Sequence, residues 1–322
     1  MVKTTLMAKE PSPQVRARTL FKRADKLPLN SDNRLNLLLE AFSLDPLNLD
    51  VNLALHDHYY DQHNYDKTEE HLLRALPYTD DRPFIFEKLA FLYLSTEQLS
   101  KAKDSAIRGL EEEPDCIELQ SLLTDIYLKL KDYEPAVASA LRENELSDQE
   151  YEPIAIVSMA KALDALGRTD EAAIALNNAI TNRRPQDSPY DVSYYFLASL
   201  ISRRGDTERA YGLIIEGLNS GNFEPSNDDF ETQLYVTAAR VCAAHNDPLN
   251  YARFLIRADL NTDAPLTHID ELTAALKQCK PRQKMLKTLM IDFPSSAYAK
   301  QKNAAITTLI TDIEQLNETA SG

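Results

Sequence analysis

Residues 83–116 read PFIFEKLAFLYLSTEQLSKAKDSAIRGLEEEPDC. Two amphipathic helices joined by a short polar turn account for this stretch. In the first half Phe86, Leu89 and Tyr93 recur at helical spacing and form one stripe. After Thr96, Glu97 and Gln98, a second stripe of Leu99, Ala102, Ala106 and Gly109 runs on to Pro114, which cannot continue a helix. The small residues Ala90, Ala102 and Gly109 let the two helices approach closely. The stretch is a helical hairpin.

Sliding it by its own length shows that it recurs. Tyr93 maps back to Tyr59 and forward to Tyr127, Leu89 maps to Leu55 and Leu123, and Ala102 maps to Ala136. A period of this size marks stacked repeats, in which each unit buries its apolar face against its neighbours. Units can be set in frame from residues 15, 49, 83, 117, 153, 191 and about 233, so the period is regular at first and then lengthens. Extra residues enter at 143–153, 182–191 and 220–233, which reads as loops between units and as natural places for partner contacts. Residues 1–14 read as a flexible tail, 15–261 as the repeat array, 262–316 as a C-terminal helical pair with a capping helix, and 317–322 as a frayed end.

Finer expectations follow from single residues. Gly167 and Gly205 stand where a first helix must end in a left-handed residue. Asp115 and Glu118 make a capping box for the helix that follows. Asp228, Asp229 and Glu231 form an acidic cluster in a polar loop. His56, His58, His63 and His71 crowd the second unit, but they lack the same-face pair a metal needs, and His56 is placed to bond Thr68 across the hairpin.

Composition narrows the function. A net charge of −15 disfavours nucleic acid and anionic membrane as partners, because both are bound through positive charge. The charge is uneven: residues 1–26 carry +5 and residues 277–302 carry +6, which leaves −26 on the rest. Cys116, Cys242 and Cys279 are too few and too scattered for a disulfide framework or a zinc site. No apolar run is long enough for a signal peptide or a membrane span, so a soluble, cytoplasmic protein is expected. With seven glycines and no glycine-rich phosphate loop, nucleophile elbow or zinc-protease motif, neither enzyme activity nor a cofactor nor a metal is expected.

Phe86, Leu89, Ala90 and Tyr93, followed by Ala102, Ala106, Gly109 and Pro114, resemble the tetratricopeptide repeat family, and the recurrence carries the resemblance through several units. That resemblance implies an all-α, right-handed α-solenoid of about seven hairpins, with the first helices lining the concave wall of the superhelix. It also implies a non-enzymatic scaffold or adaptor that binds another protein. Carried onto this chain, the wall positions include Asp57, Tyr60, Asp61, Phe84, Glu87, Phe91 and Asp125. Helix geometry agrees for Phe84, Glu87 and Phe91, whose stripe is distinct from that of Phe86, Leu89 and Tyr93. Aromatics flanked by carboxylates suit an extended peptide of basic and apolar character. The opposing expectation is that Phe84 and Phe91 simply pack against adjoining first helices. The family's clamp for a terminal carboxylate is missing, since Thr19, Arg23, Ala54, Phe84 and Lys88 occupy its positions. A peptide or signal receptor of regulatory type, and a chaperone or assembly factor for a secretion or surface apparatus, are the alternatives.

Overall fold

Short polar side chains open many of the helices. Asn48 Oδ1 accepts from the Val51 amide at 3.2 Å, Asp81 Oδ1 from Phe84 at 3.3 Å, and Asp247 Oδ1 from Asn250 at 3.1 Å. Each caps an amide that the helix leaves unpaired. Pro83 and Pro248 sit in the first turn just after two of these caps, where a missing N–H costs nothing.

The computed structural model describes residues 11–29, 31–147, 153–182, 191–220, 228–262, 265–279 and 300–318, and among these it forms sixteen α-helices and no strand. The chain divides into two compact units, Met1–Leu146 and Ser147–Gly322. The first holds α1 (Pro13–Ala24), α2 (Asp32–Leu44), α3 (Leu49–Asp61), α4 (Tyr65–Ala75), α5 (Arg82–Ser95), α6 (Leu99–Glu112), α7 (Ile117–Leu130) and α8 (Tyr133–Leu146). The second holds α9 (Pro153–Ala165), α10 (Thr169–Thr181), α11 (Asp191–Arg203), α12 (Thr207–Ser220), α13 (Asp229–Ala244), α14 (Pro248–Leu260), α15 (Ile269–Gln278) and α16 (Lys300–Glu318). Within each unit consecutive helices pair as hairpins, and each hairpin packs on the next. No helix among the described residues is long and apolar enough to cross a membrane.

The hairpin turns share one device. His63, Glu97, Lys131 and Asn246 all adopt positive φ between 53° and 59°, and Gly167 and Gly205 do so at 78° and 88°. Each lies between the paired helices, where one left-handed residue reverses the chain. The two glycines were legible in advance; the other four turns force the same conformation on residues that resist it.

In the first unit the core is made of the columns the sequence shows. Phe86, Leu89 and Tyr93 are buried, as are Ala90, Ala102 and Ala106. A methyl group on Gly109 would stand 2.6 Å from Leu119 Cδ1 and 3.2 Å from Phe86 Cβ, so the absence of a side chain is what permits the contact. Gly217 does the same against Tyr194 and Tyr195 in the second unit.

That unit also buries charge. Arg257 is fully buried, and its Nη1 donates to Tyr195 Oη at 2.7 Å and to Asp191 Oδ2 at 3.2 Å. Burial pushes the Asp191 carboxyl above its usual range, and the guanidinium beside it opposes that rise. Asp259, also buried, accepts from the Thr267 amide and hydroxyl at 3.0 and 2.7 Å and from the His268 amide at 3.2 Å. His268 Nδ1 lies 2.8 Å from the same carboxylate, which ties the connection after α14 to that helix.

Several local expectations are corrected. The capping box at Asp115 and Glu118 does not form, because Cys116 holds the cap position and Asp115 instead accepts from Arg142 at 2.5 Å. The acidic cluster at Asp228, Asp229 and Glu231 is not loop. Asp228 Oδ1 caps α13 by accepting from Phe230 at 2.6 Å and Glu231 at 3.2 Å, and carboxylates are favoured at a helix N-terminus. Consequently α13 begins at Asp229, earlier than the Gln233 that the apolar pattern suggests. Likewise α1 starts at Pro13, inside the stretch read as tail. The second helix of the C-terminal pair, 282–293, and most of the three inserted segments lie outside the described residues.

Candidate functional site

Helix α5 shows two faces. Ile85, Phe86, Leu89, Ala90, Leu92 and Tyr93 are buried, whereas Phe84 and Phe91 remain 37% and 47% exposed. The exposed pair is not bare. Phe91 meets Tyr60 of α3 with ring centroids 6.0 Å apart, and Tyr60 in turn stacks on His56 at 6.3 Å and meets Tyr65 at 6.0 Å. Lys88 Nζ lies 4.9 Å from the Phe84 ring centroid and 3.6 Å from Glu87 Oε1. For Phe91, packing on an adjoining helix and exposure therefore coexist, whereas the neighbour of Phe84 is Lys88 of its own helix.

The carboxylates frame these rings. Asp57 is largely exposed and lies 3.0 Å from His56 Nδ1. That hydrogen bond holds its carboxyl below the usual range against the opposing effect of partial burial, and the positive fields of Arg34 and Lys88 assist. Glu87 is half-buried beside Lys88. Asp61 ends α3 exposed to solvent, and Asp125 is exposed on α7.

Of the seven sequence-expected residues, the structure joins Tyr60 to Phe91 directly, and it links Phe84 and Glu87 through Lys88, whose field also reaches Asp57. Lys88, His56 and buried Arg34 were missed as members of this surface. Lys88 has a readable signal, since it follows Phe84 by one helical turn on the same face. Arg34 has none, because it comes from α2 through tertiary packing.

The histidines beneath have structural partners. His56 does not bond Thr68, whose hydroxyl donates to the Asn64 carbonyl at 2.9 Å. A first-turn threonine finds that local carbonyl before it can reach another helix. His71 Nδ1 faces Asn52 Oδ1 at 2.9 Å. Because Asn52 Nδ2 donates to the Pro46 and Asn48 carbonyls, its oxygen is the acceptor and His71 is the donor. Desolvation lowers His71 to about 4, so it is neutral at physiological pH.

Among the described residues no group of three or more His, Cys, Asp or Glu is placed to hold a metal. Burial raises the Cys242 and Cys279 thiols to about 12 and about 11, which suppresses the nucleophilic thiolate.

Helical hairpins packed in succession define a helical-repeat protein. The fold is that of a tetratricopeptide repeat array. A tetratricopeptide repeat protein from Parabacteroides merdae aligns with a TM-score of 0.58 and 21% identity over 82% of this chain and 98% of its own. Yeast Tom70 aligns with a TM-score of 0.48 and 17% identity over 74% of this chain and 48% of its own. Pseudomonas aeruginosa pilF aligns with a TM-score of 0.47 and 12% identity over 77% of this chain and 92% of its own. No family model and no curated protein matches the sequence. The likeness to the Parabacteroides merdae protein speaks for the fold alone.

Proposed function

We propose that the chain is a non-enzymatic interaction scaffold or adaptor whose first unit grips a partner protein through an extended segment of basic and apolar side chains. Proteins of this fold are typically protein-interaction scaffolds. The observation that carries the reading is the half-exposed Phe91, seated on Tyr60 with Asp57, Asp61 and Glu87 on the same two helices. A ring with one edge already fixed loses little freedom on binding, and an incoming apolar side chain covers the remainder. Three carboxylates against Lys88 leave this face negative, which draws a basic segment and orients it.

The test compares the wild-type chain with an Asp57→Ala, Asp61→Ala, Phe91→Ala variant. Fluorescence anisotropy with peptides alternating Lys and Leu reads the groove directly, and affinity purification from the native host reads the natural partner. A loss of about tenfold in peptide affinity or more, together with loss of the partners, is expected. Equal affinity and equal recovery of partners would sink the reading.

A further inference from the structure

The second unit carries a groove of about 580 Å³ that belongs to neither the aromatic face nor any buried network described above. One wall is a stripe of α10, where Asp170, Ile174, Asn177 and Asn178 share a face by helical spacing. Leu197 and Ile201 of α11 form an apolar floor, with only 1% and 7% of their surfaces exposed. Arg204, just beyond α11, closes one end through an ion pair with Asp170. Arg209, in the first turn of α12, completes the lining.

Three features of this lining are unspent. Ile174 projects with 61% of its surface exposed although an apolar floor lies beside it. The side-chain amides of Asn177 and Asn178 have no partner among the described residues, and neither has the Arg209 guanidinium. The Arg209 backbone amide, by contrast, donates to Asp206 Oδ1 at 3.1 Å, so that carboxylate serves the start of α12. With Asp170 and Arg204 neutralising each other, Arg209 is the one unbalanced charge of the lining, and it is positive in a chain of net charge −15.

We propose that this groove binds a short extended peptide segment that carries an acidic side chain beside aliphatic ones. The chemistry follows from the lining. A primary amide offers a donor and an acceptor side by side, which matches the carbonyl and N–H of an extended backbone. Two such amides in succession, next to an aliphatic floor, suit a strand-like ligand. From Asp170 to Asn178 the wall is roughly 12 Å long at ~1.5 Å per helical residue, which accommodates about three to four extended residues. A guanidinium fork recognises a carboxylate through two parallel hydrogen bonds, so Arg209 selects aspartate or glutamate in the ligand.

The experiment uses the full chain and a fluorescein-labelled hexapeptide of alternating Leu and Glu, read by anisotropy, with a Leu-Gln peptide and a Gly-Glu peptide as controls. The Leu-Glu peptide is expected to bind, and both controls to bind at least about tenfold more weakly. Arg209→Glu and Ile174→Asp should each weaken the Leu-Glu peptide by about tenfold or more, while Phe91→Ala leaves it unchanged. Arg209 and Ile174 are exposed, and an unaltered thermal melt of each variant confirms that the groove rather than the fold was changed. The proposal is overturned if the Leu-Glu peptide does not bind the wild type, if the Leu-Gln peptide binds equally, or if Arg209→Glu keeps full affinity. Loss of binding in Phe91→Ala alone would move the peptide to the first unit. Self-association abolished by Ile174→Asp would assign the groove to a second copy of the chain.

Discussion

The two units solve one packing problem by different means. In the first, the left-handed turn residues His63, Glu97 and Lys131 follow one another at intervals of 34, and the polar bond buried among the apolar columns is a neutral one, between His71 and Asn52. In the second, Gly167, Gly205 and Asn246 are spaced more widely, and the longer connections end at buried charge. Asp191 is the first residue of α11, Arg257 lies near the end of α14, and Asp259 anchors the segment that follows α14. An acid at a helix start and a base near a helix end also complement the helix dipoles. Regular repeats register themselves by shape. Where the connections lengthen, a few directional polar bonds fix the register that the period no longer enforces.

The sharpest test of that difference is Arg257→Ala. Removing the guanidinium strands the Asp191 carboxylate in the core, and urea unfolding should show a loss of about 3–5 kcal/mol. Arg74→Ala in the first unit breaks the exposed pair with Glu70 and should cost no more than ~0.5 kcal/mol. Substituting Arg257→Met together with Asp191→Asn should recover most of the loss, since no charge is then left unpaired. Similar costs for the two arginines would refute the contrast.

The glycines of the shared packing column come next. Alanine at Gly217 would bring its Cβ within 2.9 Å of Tyr194 Cβ, which is anchored to its own backbone, so a loss of about 1–2 kcal/mol is expected. At Gly109 the closest atom is the rotatable Leu119 Cδ1 and the anchored Phe86 Cβ stands farther off at 3.2 Å, so with the gain of ~1 kcal/mol in helix propensity Gly109→Ala should cost less than Gly217→Ala. Thermal melts of the two variants decide it, and equal shifts would contradict the geometric distinction.

The fold was legible because shape columns repeat in sequence. Phe86, Leu89, Tyr93, Ala102 and Gly109 announce the hairpin, and Gly167 and Gly205 announce its turn. Part of the candidate surface was also legible, since Phe84, Glu87 and Phe91 follow from helical spacing. Its electrostatics were not. His56 pairs with its sequence neighbour rather than with Thr68, and Arg34 reaches Asp57 from another hairpin. The pair Asp191 and Arg257 is separated by 66 positions and lies outside the repeat columns, so no periodic signal reports it. Periodicity reveals what every unit shares, and these contacts are made only once.

A pH titration compared with a single-residue variant isolates one group of the first unit. In the unfolded chain His71 takes up a proton near its ordinary value of 6.5, whereas the folded chain resists until about 4. Between these values unfolding binds a proton, so stability should fall as pH drops from about 6.5 toward about 4 and change no further through this group below that. His71→Gln keeps a donor toward Asn52 and removes the titration, so the fall measured by urea midpoints should flatten. An identical slope in the variant would show that His71 does not govern this window.

The smallest effect lies in the turns, and it separates shared geometry from differing residue choice. Glu97 holds a φ of 58°, a conformation that costs a side-chain-bearing residue about 1–2 kcal/mol. Glu97→Gly removes that strain and returns part of the gain as unfolded-chain entropy, for a net stabilisation of about 0.5 kcal/mol. Gly167→Ala runs the other way. Nothing lies within 4 Å of the added methyl group, so its expected loss of ~1 kcal/mol is purely backbone strain. Asn246→Gly should gain less than Glu97→Gly, because asparagine tolerates the left-handed region better. If Glu97→Gly destabilises while Gly167→Ala is neutral, the turns of the two units are not equivalent, and the shared device that makes the period visible would have to be something other than the left-handed residue.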